Sequence, residues 1–199
     1  GVSLIVTVDC GIGSFAEIEH AKAYKIDVIV TDHHEVVGSR LPGAYAIINP
    51  LQEGCGYPFK HLAGVGIAYK LAKALYEGTQ FLAEDFLDLV SLGTIADIVP
   101  LRGENRILAK HGLGEINRRT RIGLEALAEA SGLNGKEISS GHVGFILGPR
   151  INAMGRTGSP QKALELLMAS DKAEALKLAK MLNAENRNRQ KIEAGILEE

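Results

Sequence analysis

The sequence predicts an α/β fold: a parallel sheet built from βαβ units, then a helical region that ends in one long connecting helix. Three features carry that expectation. Two short runs rich in β-branched residues flank a helical stretch near the N-terminus, apolar spacing turns helical after residue 66, and a helix pattern without a breaker runs from residue 175 to Gly195.

The first run, Val2-Ser3-Leu4-Ile5-Val6-Thr7-Val8, reads as a buried strand with no leader before it, so the chain is expected to begin inside a domain. Cys10-Gly11-Ile12-Gly13 follows as a turn. Ser14, with Glu17 three residues on, is a capping-box signature that opens a helix through residue 24. A second strand over residues 27–31 completes a βαβ unit, which requires parallel strands and a right-handed crossover. Residues 44–48 read as a third strand.

Residues 49–62 read as an ordered loop, and residues 66–76 as a helix closed by Gly78. Further helices are expected at 82–98, 104–118, 124–130 and 141–147. Gly148, Pro149, Gly155 and Gly158 then bracket a tight loop around Arg150 and Arg156. Asp171 and Glu174 form a second capping-box pattern at the start of the long helix, whose part beyond residue 183 is polar enough to run through solvent. Residues 1–170 are accordingly expected to form one domain, with residues 171–199 as a helix leading towards another.

A composition of 46% apolar and 23% charged residues is ordinary for a soluble protein and names no function. With 22 Lys and Arg against 24 Asp and Glu, the net charge of −2 excludes a broad basic face, so any contact with nucleic acid must be local. Cys10 and Cys55 lack CxxC spacing, which argues against a disulfide framework or a structural zinc site and suits a reducing cytoplasm. No apolar run reaches the roughly 18 residues of a membrane span.

Ligands of parallel α/β sheets gather beyond the carboxyl ends of the strands, and both N-terminal strands end in polar residues: Asp9 on the first, Asp32-His33-His34 on the second. Neighbouring strands lie about 4.8 Å apart, close enough for a carboxylate and an imidazole to share a metal. Taken singly, Asp9 equally fits a helix cap and the histidines a solvated turn. Taken together they favour a site, and oxygen and imidazole donors without thiolate suit Mn²⁺ or Mg²⁺, with zinc also compatible. Asp97 lies among apolar residues, where a carboxylate needs a partner: a metal, backbone N–H groups or an arginine. Arg150 and Arg156 have the chemistry to grip phosphate oxygens bidentately; the plainer reading is a turn with two surface arginines. Arg118, Arg119 and Arg121 read as a solvated helix end, Cys10 as a small buried thiol, and His20, His61, His111 and His142 as structural or surface residues.

Val8-Asp9-Cys10-Gly11-Ile12, Asp32-His33-His34 and Thr94-Ile95-Ala96-Asp97-Ile98-Val99-Pro100-Leu101 resemble the motifs of the DHH phosphoesterases. Gly103-Glu104-Asn105-Arg106, Pro58-Phe59-Lys60, Leu62-Ala63-Gly64 and Gly148-Pro149-Arg150-Ile151-Asn152-Ala153-Met154-Gly155-Arg156 are similar to the single-strand-specific exonuclease branch of that family. The resemblance implies two Mn²⁺ or Mg²⁺ ions, with Asp9 bridging them and His33 and Asp97 as further ligands. It also implies that His34 faces a substrate phosphate, Asp32 orients a ligand without binding metal, and Arg150, Asn152 and Arg156 contact the DNA backbone. The implied reaction is hydrolysis of single-stranded DNA from its 5′ end by metal-activated water, in DNA repair and recombination, with repair or replication proteins as further partners. The family's D-x-D-G motif does not occur in this sequence, which implies weak metal binding and little nuclease activity for this chain alone. Phosphoesterases acting on short oligonucleotides, and non-catalytic replication scaffolds, are the other classes the resemblance admits.

Overall fold

The computed structural model describes residues 1–36, 38, 40–79, 83–156 and 159–197. These fall into two compact units, Gly1–Ala109 and Lys110–Glu199. The chain therefore divides between residues 109 and 110, not near 170. The first half of the last helix accounts for this, because Ala175, Leu178, Ala179 and Leu182 are buried within the second unit.

The first unit holds a three-stranded sheet in the order β1-β2-β3, all parallel: β1 Leu4–Val8, β2 Asp27–Thr31 and β3 Ala46–Ile48. Helix α1, Phe15–Ala23, connects β1 to β2 and packs on β2, where Ile18 meets Val28 and Val30. Ser14 stands at its N-cap but its side chain makes no capping hydrogen bond, so the expected capping box does not form. Backbone bonds open the helix instead, with Ile18 N–H donating to Ser14 O at 3.1 Å.

Strand β2 is central and buried, whereas β1 lies at the edge of the sheet within this chain, and its Leu4, Ile5, Val6 and Val8 are 39–52% exposed. The unit continues with α2, Gly64–Leu75, a 3₁₀ turn, Ala83–Phe86, and α3, Leu87–Ala96, which together replace the single helix expected from residue 82. Leu82 itself lies outside the described residues. Helix α4, Gly103–Arg118, runs from the first unit into the second.

The second unit is helical: α5 Ile122–Ala130, the short α6 Ser140–His142, a π-helical turn Val143–Leu147, α7 Gly148–Arg156, α8 Pro160–Leu167 and α9 Lys172–Leu197. The tight loop expected around Arg150 and Arg156 is a helix instead. The wide turn just before it, in which Gly148 N–H reaches back to Val143 O, makes room for Pro149, so the Gly-Pro pair does not end the helix. Gly158 lies outside the described residues. Helix α8 is absent from the sequence-based expectation, although Ser159-Pro160 is an N-cap followed by an N1 proline. In α9 the Asp171 carboxylate accepts from Glu174 N–H at 2.8 Å, as the sequence predicts, whereas the solvent-exposed part begins only at residue 190 and not at 183: Asn183 accepts from Arg150 and Asn186 is 2% exposed. The last two residues of the expected helix lie outside the described set.

Candidate metal centre

The ladders continue past the ends of β1 and β2: Asp9 N–H donates to Thr31 O of β2 at 3.0 Å, and Asp32 N–H to Ile48 O of β3 at 3.1 Å. Two threonines fasten the ends further, Thr31 Oγ1 donating to Thr7 O and Thr7 Oγ1 to Cys10 O, both at 2.6 Å. The turn after Asp9 is shaped by Gly11, at φ 113°, a value L side chains rarely adopt; a Cβ there would sit 2.8 Å from Thr7 Oγ1. Cys10 in this turn is exposed, correcting its reading as a buried thiol.

The same turn lays Ile12 over Asp32. Ile12 N–H donates to Asp32 Oδ2 at 2.9 Å, while Asp32 Oδ1 accepts from His33 N–H at 2.8 Å and His34 N–H at 3.2 Å, and pairs with His34 Nδ1 at 2.7 Å. Asp32 is 1% exposed. Burial works against its ionisation, but these bonds, led by that from Ile12, outweigh it and hold the carboxyl below its ordinary range. The bond from Asp32 in turn raises the His34 imidazole above its usual value against the opposing effect of burial, with the charges of Asp32, Asp9 and Asp97 adding to it. Asn49, itself 1% exposed, donates from Nδ2 to His34 O at 3.0 Å and fixes the backbone on the other side.

His33 points the other way. Its Nε2 lies 3.1 Å from Asp9 Oδ1 and 3.4 Å from Asp97 Oδ2, yet it is buried and neither contact has hydrogen-bond geometry. Distance alone would read these contacts as ion pairs. The geometry argues otherwise: a ring nitrogen close to two carboxylate oxygens and hydrogen-bonded to neither is left without a partner beside them. Among the described residues, Asp9, His33 and His34 also each offer a donor atom within 4.8 Å of the others. Two overlapping donor groups thus share Asp9 and His33, one completed by Asp97 and one by His34. An orphaned imidazole nitrogen beside hard carboxylate oxygens, with no thiolate in either group, fits a divalent cation such as Mn²⁺ or Mg²⁺.

Asp97 is the C-cap of α3, its N–H bonded to Gly93 O at 2.9 Å. Burial pushes its carboxyl above the ordinary range, His33 draws it back, and the neighbouring Asp9 carboxylate raises it again. Asp9 and Ile98 are both left-handed, at φ 64° and 60°, so backbone strain flanks the site on two segments. Ile98 is the starker case, being β-branched and 89% exposed.

Two residues without obvious chemistry hold these segments. Asn105, fully buried, donates from Nδ2 to His61 O at 2.5 Å and to Pro100 O at 3.2 Å, tying the approach to α2 to the turn after Asp97. Gly64 opens α2 directly against the Asp9 side chain. Both stand in sequence segments singled out for their resemblance, but only their placement shows what they touch.

Arg150, Asn152 and Arg156 all lie on α7 in the second unit. Asn152 and Arg156 are exposed. Arg150 is half-buried and engaged inside the unit: Nε donates to Asn183 Oδ1 at 2.9 Å and Nη1 to Ile146 O at 2.6 Å. Burial, then the charge of Arg187, lowers its guanidinium from the ordinary value. Arg119 is likewise structural, its Nη2 donating to Leu133 O and Lys136 O.

Residues 3–94 match the DHH family, N-terminal domain. The chain is 47% identical over 199 residues to the single-stranded-DNA-specific exonuclease RecJ of Bacillus subtilis (strain 168), an alignment covering all of this chain and 25% of that protein. It is also similar to the crystal structure of RecJ in complex with Mn²⁺ from Thermus thermophilus, with a TM-score of 0.85 and 39% identity over 98% of this chain and 29% of that one. The corresponding Mg²⁺ complex gives a TM-score of 0.77 and 36% identity over 98% of this chain and 27% of that one. The chain thus spans about a quarter of the length of the relative it matches at 47%. No helix among the described residues is long and apolar enough to cross a membrane.

Proposed function

From the match of residues 3–94 to the DHH family, N-terminal domain, we propose that this chain is the metal-holding part of an exonuclease that hydrolyses single-stranded DNA. One observation carries the reading: His33 Nε2 is buried, without a hydrogen-bond partner, and faces the Asp9 and Asp97 carboxylates.

Asp9, His33 and Asp97 would hold Mn²⁺ or Mg²⁺, and Asp9, common to both donor groups, is the carboxylate suited to bridge two ions. When bound, such ions neutralise charge developing on phosphoryl oxygens and make water a competent nucleophile near neutral pH. Asp32 holds the His34 ring by Nδ1, which leaves the other ring nitrogen to meet a substrate phosphate. Asp32 itself has both oxygens committed to hydrogen bonds, which supports an orienting role. Asn152 and Arg156, exposed on α7, supply backbone contacts, and Arg150 anchors that helix to Asn183 of α9. Such contacts read no bases, in keeping with attack from a 5′ end without sequence preference. The exposed end of α9 serves as a connector, and the role of the exonuclease is DNA repair and recombination.

The test uses the full-length protein with Mn²⁺ and 5′-end-labelled single-stranded DNA. Robust degradation is expected. His33→Ala should lower the rate by a factor of at least about 100, because it removes a donor shared by both groups. A His33→Ala protein that degrades DNA at the wild-type rate overturns the reading. The 199-residue chain alone is expected to degrade little under the same conditions.

A further inference from the structure

We infer that Gly64 is a positioning residue for the metal centre: the absence of a side chain there lets the Asp9 carboxylate occupy its place beside His33. The inference rests on the functional reading above and identifies a determinant of metal binding that carries no donor atom of its own.

The geometry is specific. A Cβ built on Gly64 would lie 2.7 Å from Asp9 Cβ and 2.5 Å from Asp9 Cγ, and closer still to Oδ1. Nothing else lies as near, so the space a side chain would fill is occupied by the Asp9 side chain itself. Oδ1 is also the oxygen 3.1 Å from His33 Nε2. Displacing it by even the width of a methyl group would take away the carboxylate that both donor groups share.

Asp9 cannot easily move aside. Its backbone is held by the bond from its N–H to Thr31 O, and its left-handed φ of 64° sets the direction in which the side chain leaves β1. Gly64 is equally fixed. It is the first residue of the 12-residue helix α2, its neighbour Leu62 is 1% exposed, and Asn105 grips His61 O just upstream. The N-cap residue of α2, Ala63, offers no side-chain acceptor. The Asp9 carboxylate, packed on the first turn, therefore stands at a helix start whose own first turn holds no acidic residue. A bulkier residue at position 64 would lose this contact along with the carboxylate's direction.

Gly66, two residues further along the same turn, provides the control. A Cβ there would meet Leu62 Cδ2 at 3.2 Å, a flexible side-chain end, and touches nothing in the metal centre. Gly64→Ala and Gly66→Ala thus perturb the same helix start, and only the first reaches Asp9.

Mn²⁺ binding to the full-length protein is measured by titration calorimetry, beside metal-free thermal unfolding. Gly64→Ala should weaken Mn²⁺ binding by about 10- to 100-fold, as loss of an orienting residue does, while Gly66→Ala keeps the wild-type affinity. Equal affinity in wild type and Gly64→Ala overturns the inference, and so does an equal loss in Gly66→Ala. The functional reading fails separately, if the wild type itself binds no Mn²⁺. In that case a metal-free crystal structure of Gly64→Ala still decides: an Asp9 Oδ1 to His33 Nε2 distance that stays at 3.1 Å overturns the inference. Should Gly64→Ala fold poorly, Asp9→Gly supplies the background, because Gly accepts the left-handed backbone at position 9. There Gly64→Ala should lose no melting temperature, and an undiminished loss would show that Gly64 serves the helix and not Asp9.

Discussion

The carboxyl ends of β1 and β2 lie side by side and are built in opposite ways. At the end of β2, Asp32 is buried and spends both oxygens on four hydrogen bonds from Ile12, His33 and His34. At the end of β1, the Asp9 side chain is half exposed, its backbone is left-handed, and the ring nitrogen nearest to it has no hydrogen-bond partner. The difference separates two tasks. The satisfied Asp32 at the β2 end fixes where two imidazoles point, and it leaves His33 Nε2 unpartnered beside the β1 end and the Asp97 turn, where the backbone is strained and a ligand would repay both.

If that division is right, matched substitutions at the two ends have unlike consequences. Asp32→Asn replaces an oxygen acceptor by an amide donor facing N–H groups, so the metal-free protein should lose about 2–4 kcal/mol, measured by urea unfolding. Asp9→Asn removes a half-exposed carboxylate beside Asp97, and asparagine tolerates a left-handed φ, so stability should change by less than about 0.5 kcal/mol while Mn²⁺ binding is lost. Comparable destabilisation by the two would break the comparison, because it would make Asp9 as much a scaffold residue as Asp32.

Asn105 sharpens the same contrast at a smaller scale. It is buried like Asp32, but its two bonds go to backbone carbonyls of the segments that carry Gly64 and Asp97. Asn105→Ala should cost about 1–3 kcal/mol for the carbonyls left unpaired, and Mn²⁺ affinity should fall with it as the two segments loosen. A stability loss with unchanged affinity would confine Asn105 to the scaffold.

How much of this is legible in the sequence follows from the same distinction. Strand ends are marked by short runs of β-branched residues and by turn chemistry, so Asp9 and Asp32-His33-His34 can be placed at neighbouring strand ends from periodicity alone, and Asp97 at a helix end from its apolar surroundings. The opposite characters of Asp9 and Asp32 cannot, because they depend on which oxygen meets which N–H across 20 residues of chain. Gly64 and Asn105 carry no chemical signal: one acts by lacking atoms, the other through backbone carbonyls. The reading of residues 148–158 as a loop fails because it weighs glycine and proline as breakers, whereas a π-helical turn absorbs Pro149 and the buried Ala153 and Met154 keep the helix on its unit.

The smallest effect falls on Ile98, where strain can be tested apart from ligand contacts. Its side chain is 89% exposed, so truncation removes almost no packing, and its φ of 60° is one a β-branched residue adopts only at a cost of about 1–2 kcal/mol. Ile98→Gly relieves that cost but adds unfolded-state entropy of up to about 1 kcal/mol, leaving a net gain of about 0.5–1 kcal/mol in the metal-free protein. Mn²⁺ affinity should stay at the wild-type level, since Asp97 retains its bond to Gly93 O and its position at the end of α3. A loss of stability in Ile98→Gly would show that this backbone is unstrained, and the strain beside the metal centre would then be confined to Asp9.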